Sequence, residues 1–278
     1  MYFFFFDTMK RLETPFLAYT DTLSNDTPFF FFHLDLEDKD QRKLLDSYFV
    51  SICEGKDSNS TVELAKDRLI RTFKTKVNDQ DWLMGATAEL YLHLFMNVLN
   101  FNQEFLYTNL EEKSIKKGFD GVYRENDNSL WFLESKSGAD TTQNISHLSK
   151  VKEAYKDLLN KFSGKKDNEK EPNDPWWNAF NHAKASGSSQ DIKDLLKDLS
   201  DKYVKEIYPD IKDYNIIPCG TVFIVSEKEP DDFNDVRIIK NQIEEYFKDK
   251  EYKNLIVICS TQKSYNSFLD YLGVPYEK

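Results

Sequence analysis

The stretch from residue 118 to 136 sets three charges in apolar company, and no other part of the chain restricts its fold as tightly. It reads Gly118-Phe119-Asp120-Gly121-Val122-Tyr123, then Asn126-Asp127-Asn128, then Leu130-Trp131-Phe132-Leu133-Glu134-Ser135-Lys136. Two strands over 118–123 and 130–136, joined by a hairpin turn at 126–128, are the reading this pattern favours. Side chains alternate along a strand, so Glu134 and Lys136 leave one face about 7 Å apart, with Leu133 and Ser135 on the other. A charge pair in an apolar strand is expensive to bury without further partners. The returning strand supplies one in Asp120. Two carboxylates brought to one point repel each other unless a cation joins them, and their hard oxygen donors suit Mg²⁺ or Mn²⁺. With a lysine beside such a metal to hold a water, the set fits phosphodiester hydrolysis.

Glu-x-Lys alone says little, since the same spacing recurs at Glu37, Glu54, Glu111 and Glu251. In a chain with 31% charged residues, most such pairs are solvated. What separates Glu134 is its apolar strand and the aspartate on the neighbouring one. Glu37 also follows an apolar strand, but no strand with a matching acid precedes it.

Around this hairpin the chain reads as α/β. Phe29 to Leu36 is an aromatic-rich strand, Asp21 to Pro28 a loop, and Met1 to Phe6 a further strand. Helical spacing covers about 39–53 and 60–76, and a third helix, capped by Asp79 or Asp81, runs to about Asn100. Glu104 to Asn109 is read as a short strand. Helices follow over 143–162, 176–184 and 190–208, with an exposed polar loop at 163–175. Strands at 221–225 and 255–259 alternate with helices at about 235–249 and 264–272. The expected architecture is a single domain over 1–278 with a mixed central sheet flanked by helices. Its parts are an N-terminal helical extension (1–78), a core (79–140 and 211–278) and a helical insertion (141–210).

Composition limits the function classes. No apolar run approaches the ~20 residues of a membrane span, and the opening apolar residues lack the basic lead of a signal peptide. Cys53, Cys219 and Cys259 are scattered, as are His33, His93, His147 and His182, which argues against a disulfide framework or a cysteine zinc site. A reduced cytoplasmic location is the default. The net charge of −11 makes the chain an awkward free-standing binder of nucleic acid, because phosphate neutralisation supplies most non-specific affinity. Lys113, Lys116 and Lys117, and the lysines at 150, 152, 156, 161, 165, 166 and 170, offer a local basic rim.

An aspartate followed by Glu-x-Lys on the next strand, behind a helix carrying a glutamate, resembles the PD-(D/E)XK restriction-endonuclease-like superfamily. Glu89, in Gly85-Ala86-Thr87-Ala88-Glu89-Leu90, stands where that superfamily often has its helical acid. More narrowly, residues 80–140 resemble the HamA family of nuclease effectors in Hachiman anti-phage systems. The resemblance implies that Asp120 and Glu134 bind Mg²⁺ or Mn²⁺, with the Ser135 carbonyl as a third ligand. It implies that Lys136 orients the attacking water and that Glu89 completes the acidic cluster, directly or through water. Phe119 replaces the nominal proline, and Gln143 is followed four residues on by His147, so the Gln-x-x-x-Tyr of RecB-like enzymes is missing.

A chain of this kind is expected to cut DNA and to work beside a HamB-like helicase that releases it. The chain has no Gly-x-x-x-x-Gly-Lys-[Ser/Thr] segment and so is no P-loop motor itself. An independent restriction or repair nuclease and a non-catalytic scaffold subunit remain open as alternatives.

Overall fold

Four parallel strands form the centre of the sheet, and both of their faces are covered. A computed structural model describes residues 9–108, 118–125, 129–164, 174–226 and 233–276. Among these, the strands are β1 (Lys10–Arg11), β2 (Leu17–Thr22), β3 (Pro28–His33), β4 (Asn102–Gln103), β5 (Gly121–Arg124), β6 (Leu130–Ala139), β7 (Asn215–Phe223), β8 (Asn254–Leu255) and β9 (Val257–Gln262). They build one sheet in the order β1-β2-β3-β9-β7-β6-β5-β4, with β8 beside β7. The pairs β3–β9, β9–β7 and β7–β6 are parallel, and an antiparallel ribbon closes each side. The chain is therefore α/β with a mixed sheet.

Helices cover both faces. On one lie α1 (Lys39–Glu54), α2 (Val62–Thr75), α3 (Gln80–Val98) and α8 (Asn266–Leu272), packed on Phe32, Leu133, Ile217 and Ile258. On the other lie α4 (His147–Ser163), α5 (Pro175–Ala185), α6 (Gln190–Val204) and α7 (Phe233–Phe247), over Phe29, Phe31, Phe132, Ile216 and Val257. Adjacent strand residues thus feed opposite cores, as a pleated strand covered on both sides requires. No described helix is long and apolar enough to cross a membrane.

Helix starts follow local chemistry. Asp38 accepts from the Asp40 and Gln41 backbone at α1, Thr61 from Leu64 at α2, and Asp79 from Trp82 at α3. At α4, Ser146 and Ser149 form a reciprocal capping box, so that helix begins at His147 and not at Gln143 as its spacing suggested.

Several strands differ from the sequence reading. The first 78 residues bring β1, β2 and β3 into the sheet beside their expected helices, and β2 was not foreseen. No strand forms over the described part of the expected Glu104–Asn109; a two-residue strand, Asn102–Gln103, lies just before it. Glu104 still donates its backbone N–H to the Val122 carbonyl (2.8 Å), while its buried carboxylate takes Arg124 at 2.8 Å. β7 starts six residues before the expected Thr221 because Pro218 and Gly220 hide it. Pro218 lacks a ladder donor, and it sits where pairing lapses between β8 and β9. The expected strand at Met1–Phe6, the turn at 126–128, Asn109, Glu111, and the lysines at 113, 116, 117, 165, 166 and 170 lie outside the described residues.

Candidate active site

β5 and β6 place the acids. Their register pairs Gly121 with Leu133 and Val122 with Phe132, so Asp120 stands one position beyond the last pair, opposite Glu134. The Asp120 carboxylate takes over from the backbone there, its Oδ2 accepting from the Ser135 N–H at 2.8 Å. That bond fixes Asp120 in the plane of the sheet beside Glu134. Gly118 makes the approach possible: a Cβ at that position would fall 2.1 Å from the Pro175 carbonyl oxygen at the start of α5. Phe119 then packs on Trp176 (5.0 Å between rings) and Phe132 (4.9 Å), which locks the lead-in to the aspartate.

Glu134 is only 2% exposed, and both of its oxygens carry ammonium groups. Lys136 Nζ donates to Oε1 at 3.0 Å, and Lys161 Nζ, reaching from α4, donates to Oε2. Lys136 also contacts Asp157 Oδ2 at 2.5 Å, one helical turn before Lys161. The result is a chain of alternating charge, Asp157–Lys136–Glu134–Lys161, joining β6 to α4. α4 comes this close because β7 carries a glycine beneath it. A Cβ at Gly220, the residue paired with Lys136, would lie 2.7 Å from the His147 carbonyl oxygen.

Electrostatics mark Asp120 as the strained member. Burial, and then the charges of Glu134 and Glu89, push its pKa up to about 7, against the pull of Lys161 and Lys136. Burial by itself would lower Lys136, but Glu134, Asp120 and Asp157 outweigh it and raise its pKa, so the ammonium is kept.

Glu89 approaches from α3, on the opposite face from α4. It is part-buried, 3.7 Å from His93 Nε2, and close enough to Asp120 for its charge to be felt. His93 is buried and its Nδ1 shares a hydrogen bond with the Tyr123 hydroxyl on β5, so it orders Glu89's surroundings from within the core. Trp176 is fully buried among Phe119, Phe132, Phe162 and Tyr214, whereas Trp177 is 44% exposed against Phe180.

Of the four residues singled out from the sequence, Asp120, Glu134 and Lys136 come together where β5 meets β6, while Glu89 lies on the other face and reaches Asp120 only through its charge. Asp157 and Lys161 were not recognised as members. Their signal was the four-residue spacing on α4 beside the buried Leu158 and Phe162, and many solvated helices share it. Of the remaining basic rim that is described, Lys150 pairs with Glu153 and Lys152 lies over Tyr246.

The donor set suits a hard cation that keeps most of its water. Among the described residues no three His, Cys, Asp or Glu side chains converge as a ready metal cage. Mg²⁺ nonetheless commonly takes only one or two carboxylates from a protein and keeps several waters. Burial is the main cause of the raised Asp120 pKa and the charges of Glu134 and Glu89 the next, and a divalent cation beside the carboxylate would oppose both.

Compared with known proteins, the chain matches the family model described as HamA over residues 20–275. No curated protein and no solved structure matches it.

Proposed function

The chain belongs to the HamA family, which makes it a protein of Hachiman anti-phage defence, and from that premise we propose that it is the system's metal-dependent nuclease. The observation that carries this reading is the seat of Asp120, held by the Ser135 N–H against a buried Glu134 with Lys136 on the same face. The core around it is read as restriction-endonuclease-like, with β5, β6 and α3 supplying the motif.

Asp120 and Glu134 would hold Mg²⁺ or Mn²⁺, with the Ser135 carbonyl as a further ligand. The bound metal supplies Lewis-acid polarisation of a phosphoryl oxygen and acidifies a water. Lys136 remains an ammonium, so it serves as a donor and a point charge and not as a base. It can orient the attacking oxygen and offset charge gathering on the phosphate. Asp157 positions Lys136 from behind, which keeps its Nζ aimed along the strand face. Glu89 adds negative charge at the margin and can accept a proton or hold a water.

DNA is the proposed substrate and a HamB-like helicase the proposed partner. A net charge of −11 supports a subunit that borrows its grip on DNA from another chain. Plasmid DNA incubated with the purified chain and Mg²⁺, with and without the co-encoded helicase, tests the proposal. Cleavage should need metal and depend on the partner. Sequence-specific cutting by the chain alone would favour an independent nuclease, and no cutting under any condition would favour a scaffold.

A further inference from the structure

Glu134 has two oxygens and an ammonium group on each. A cation that takes this carboxylate as a ligand must share it with, or displace, one of the two lysines. They are not equivalent. Lys136 belongs to the same strand as Glu134 and has a second carboxylate, Asp157, at 2.5 Å, so it stays in place when Glu134 changes partner. Lys161 comes from a separate layer of the fold. Its Nζ lies 5.4 Å from the Phe119 ring, which offers an alternative resting place over an aromatic face. Glu134 is buried, so water cannot readily take over the role of counter-ion.

We propose that Lys161 is the resident counter-ion of Glu134, competing with the divalent cation and thereby setting how much metal the site needs. This rests on the metal-dependent reading above and adds a control to it. Lys161 is placed by α4, and α4 is placed by its contact with Gly220 and by the Ser146 capping box. Because α4 carries Asp157 as well as Lys161, a swing of the Lys161 side chain alone frees Glu134 while Lys136 stays held.

Mn²⁺ titration of the full-length chain by calorimetry provides the test, using Lys161→Met, Lys161→Gln, Lys161→Arg and Glu134→Gln. Lys161→Met and Lys161→Gln should bind Mn²⁺ at least about tenfold more tightly than the parent, a difference of about 1.4 kcal/mol. Lys161→Arg should stay close to the parent, and Glu134→Gln should lose binding. Melting curves with and without Mn²⁺ should show a larger metal-induced rise for the two neutral variants. If the parent binds and Glu134→Gln does not, but the neutral variants bind no more tightly, Lys161 is only a structural partner and the proposal fails. If both neutral variants fail to fold, it also fails, because the lysine is then needed for the fold itself. If neither the parent nor any Lys161 variant binds Mn²⁺, the metal-dependent reading falls along with it.

Discussion

Glu37 and Lys39 repeat the spacing of Glu134 and Lys136, and each pair is associated with an aromatic strand of the central sheet, β3 or β6. They end in opposite environments. Glu37 and Lys39 are exposed at the start of α1, where the Glu37 N–H bonds to the Asp35 side chain and Asp38 caps the helix. Glu134 and Lys136 lie inside β6, under α4, with Asp120 opposite and Asp157 and Lys161 overhead. The tripeptide does not decide between them. What decides is whether the strand continues past the acid: β3 stops at His33, while β6 runs on to Ala139 and carries its charges into a covered layer.

The largest test of this contrast is chemical. Glu134→Ala and Lys136→Ala should each lower DNA cleavage on the order of 10² to 10³-fold and abolish phage protection, while Glu37→Ala and Lys39→Ala should do neither. Full protection in the Glu134→Ala and Lys136→Ala strains, with protein made at normal levels, would sink the nuclease reading. The metal should also separate the pair: excess Mn²⁺ can restore some activity to a ligand variant but not to Lys136→Ala.

A second test moves the covering layer. Gly220→Val places methyl groups against the His147 backbone, which cannot easily retreat, and should cost about 1–3 kcal/mol of stability by overpacking. Denaturant unfolding measures the loss. A Gly220→Val chain as stable as the parent would mean that α4 is not held where its contacts place it.

A third test uses pH. Asp120 titrates near 7 in the folded protein and far lower when unfolded, so its protonated form is favoured by folding. Its contribution to stability is therefore full below the ordinary carboxylate range and is lost as pH rises through about 7. Without metal, melting temperature should fall over that interval, and Asp120→Asn should flatten the fall while keeping an acceptor for the Ser135 N–H. Metal requires the ionised form, so Mn²⁺ affinity should climb up to about tenfold per pH unit below 7 and level off above it. A parent chain whose affinity ignores pH from 5 to 8 would remove Asp120 from the ligand set.

The smallest effect belongs to the exposed pair. Glu37→Ala and Lys39→Ala should each change stability by less than about 0.5 kcal/mol, as surface substitutions usually do. Thermal melting would show it, and a larger loss would mean that this pair is not the solvated counterpart it is taken to be.

The site was legible where chemistry follows strand alternation. Asp120, Glu134 and Lys136 are close in sequence and lie on or beside the antiparallel pair β5 and β6, so period two was enough to place them near one another. Asp157 and Lys161 were hidden because their membership depends on how α4 lies across β6 and β7, and helical spacing does not carry that information. β7 was shortened by the same kind of limit: Pro218 and Gly220 look like breakers, yet one falls at a gap in the ladder and the other admits a helix. β2 was missed because Leu17-Ala18-Tyr19-Thr20-Asp21-Thr22 is too mixed in polarity to stand out. Its partner β3 is what makes it a strand.

β3 itself has a consequence for how the protein keeps well. Phe29-Phe30-Phe31-Phe32 is the sort of uncharged, β-prone run that seeds fibrils when its backbone is open. Here it is paired on both sides, by β2 and by β9, and the strands at the described margins of the sheet are two-residue pieces, Lys10–Arg11 and Asn102–Gln103. Short polar margins give another molecule little to dock on. The hazardous segment is shielded for as long as β2 and β9 hold, so self-association of this protein should track the opening of that sheet and not the concentration of the folded chain alone.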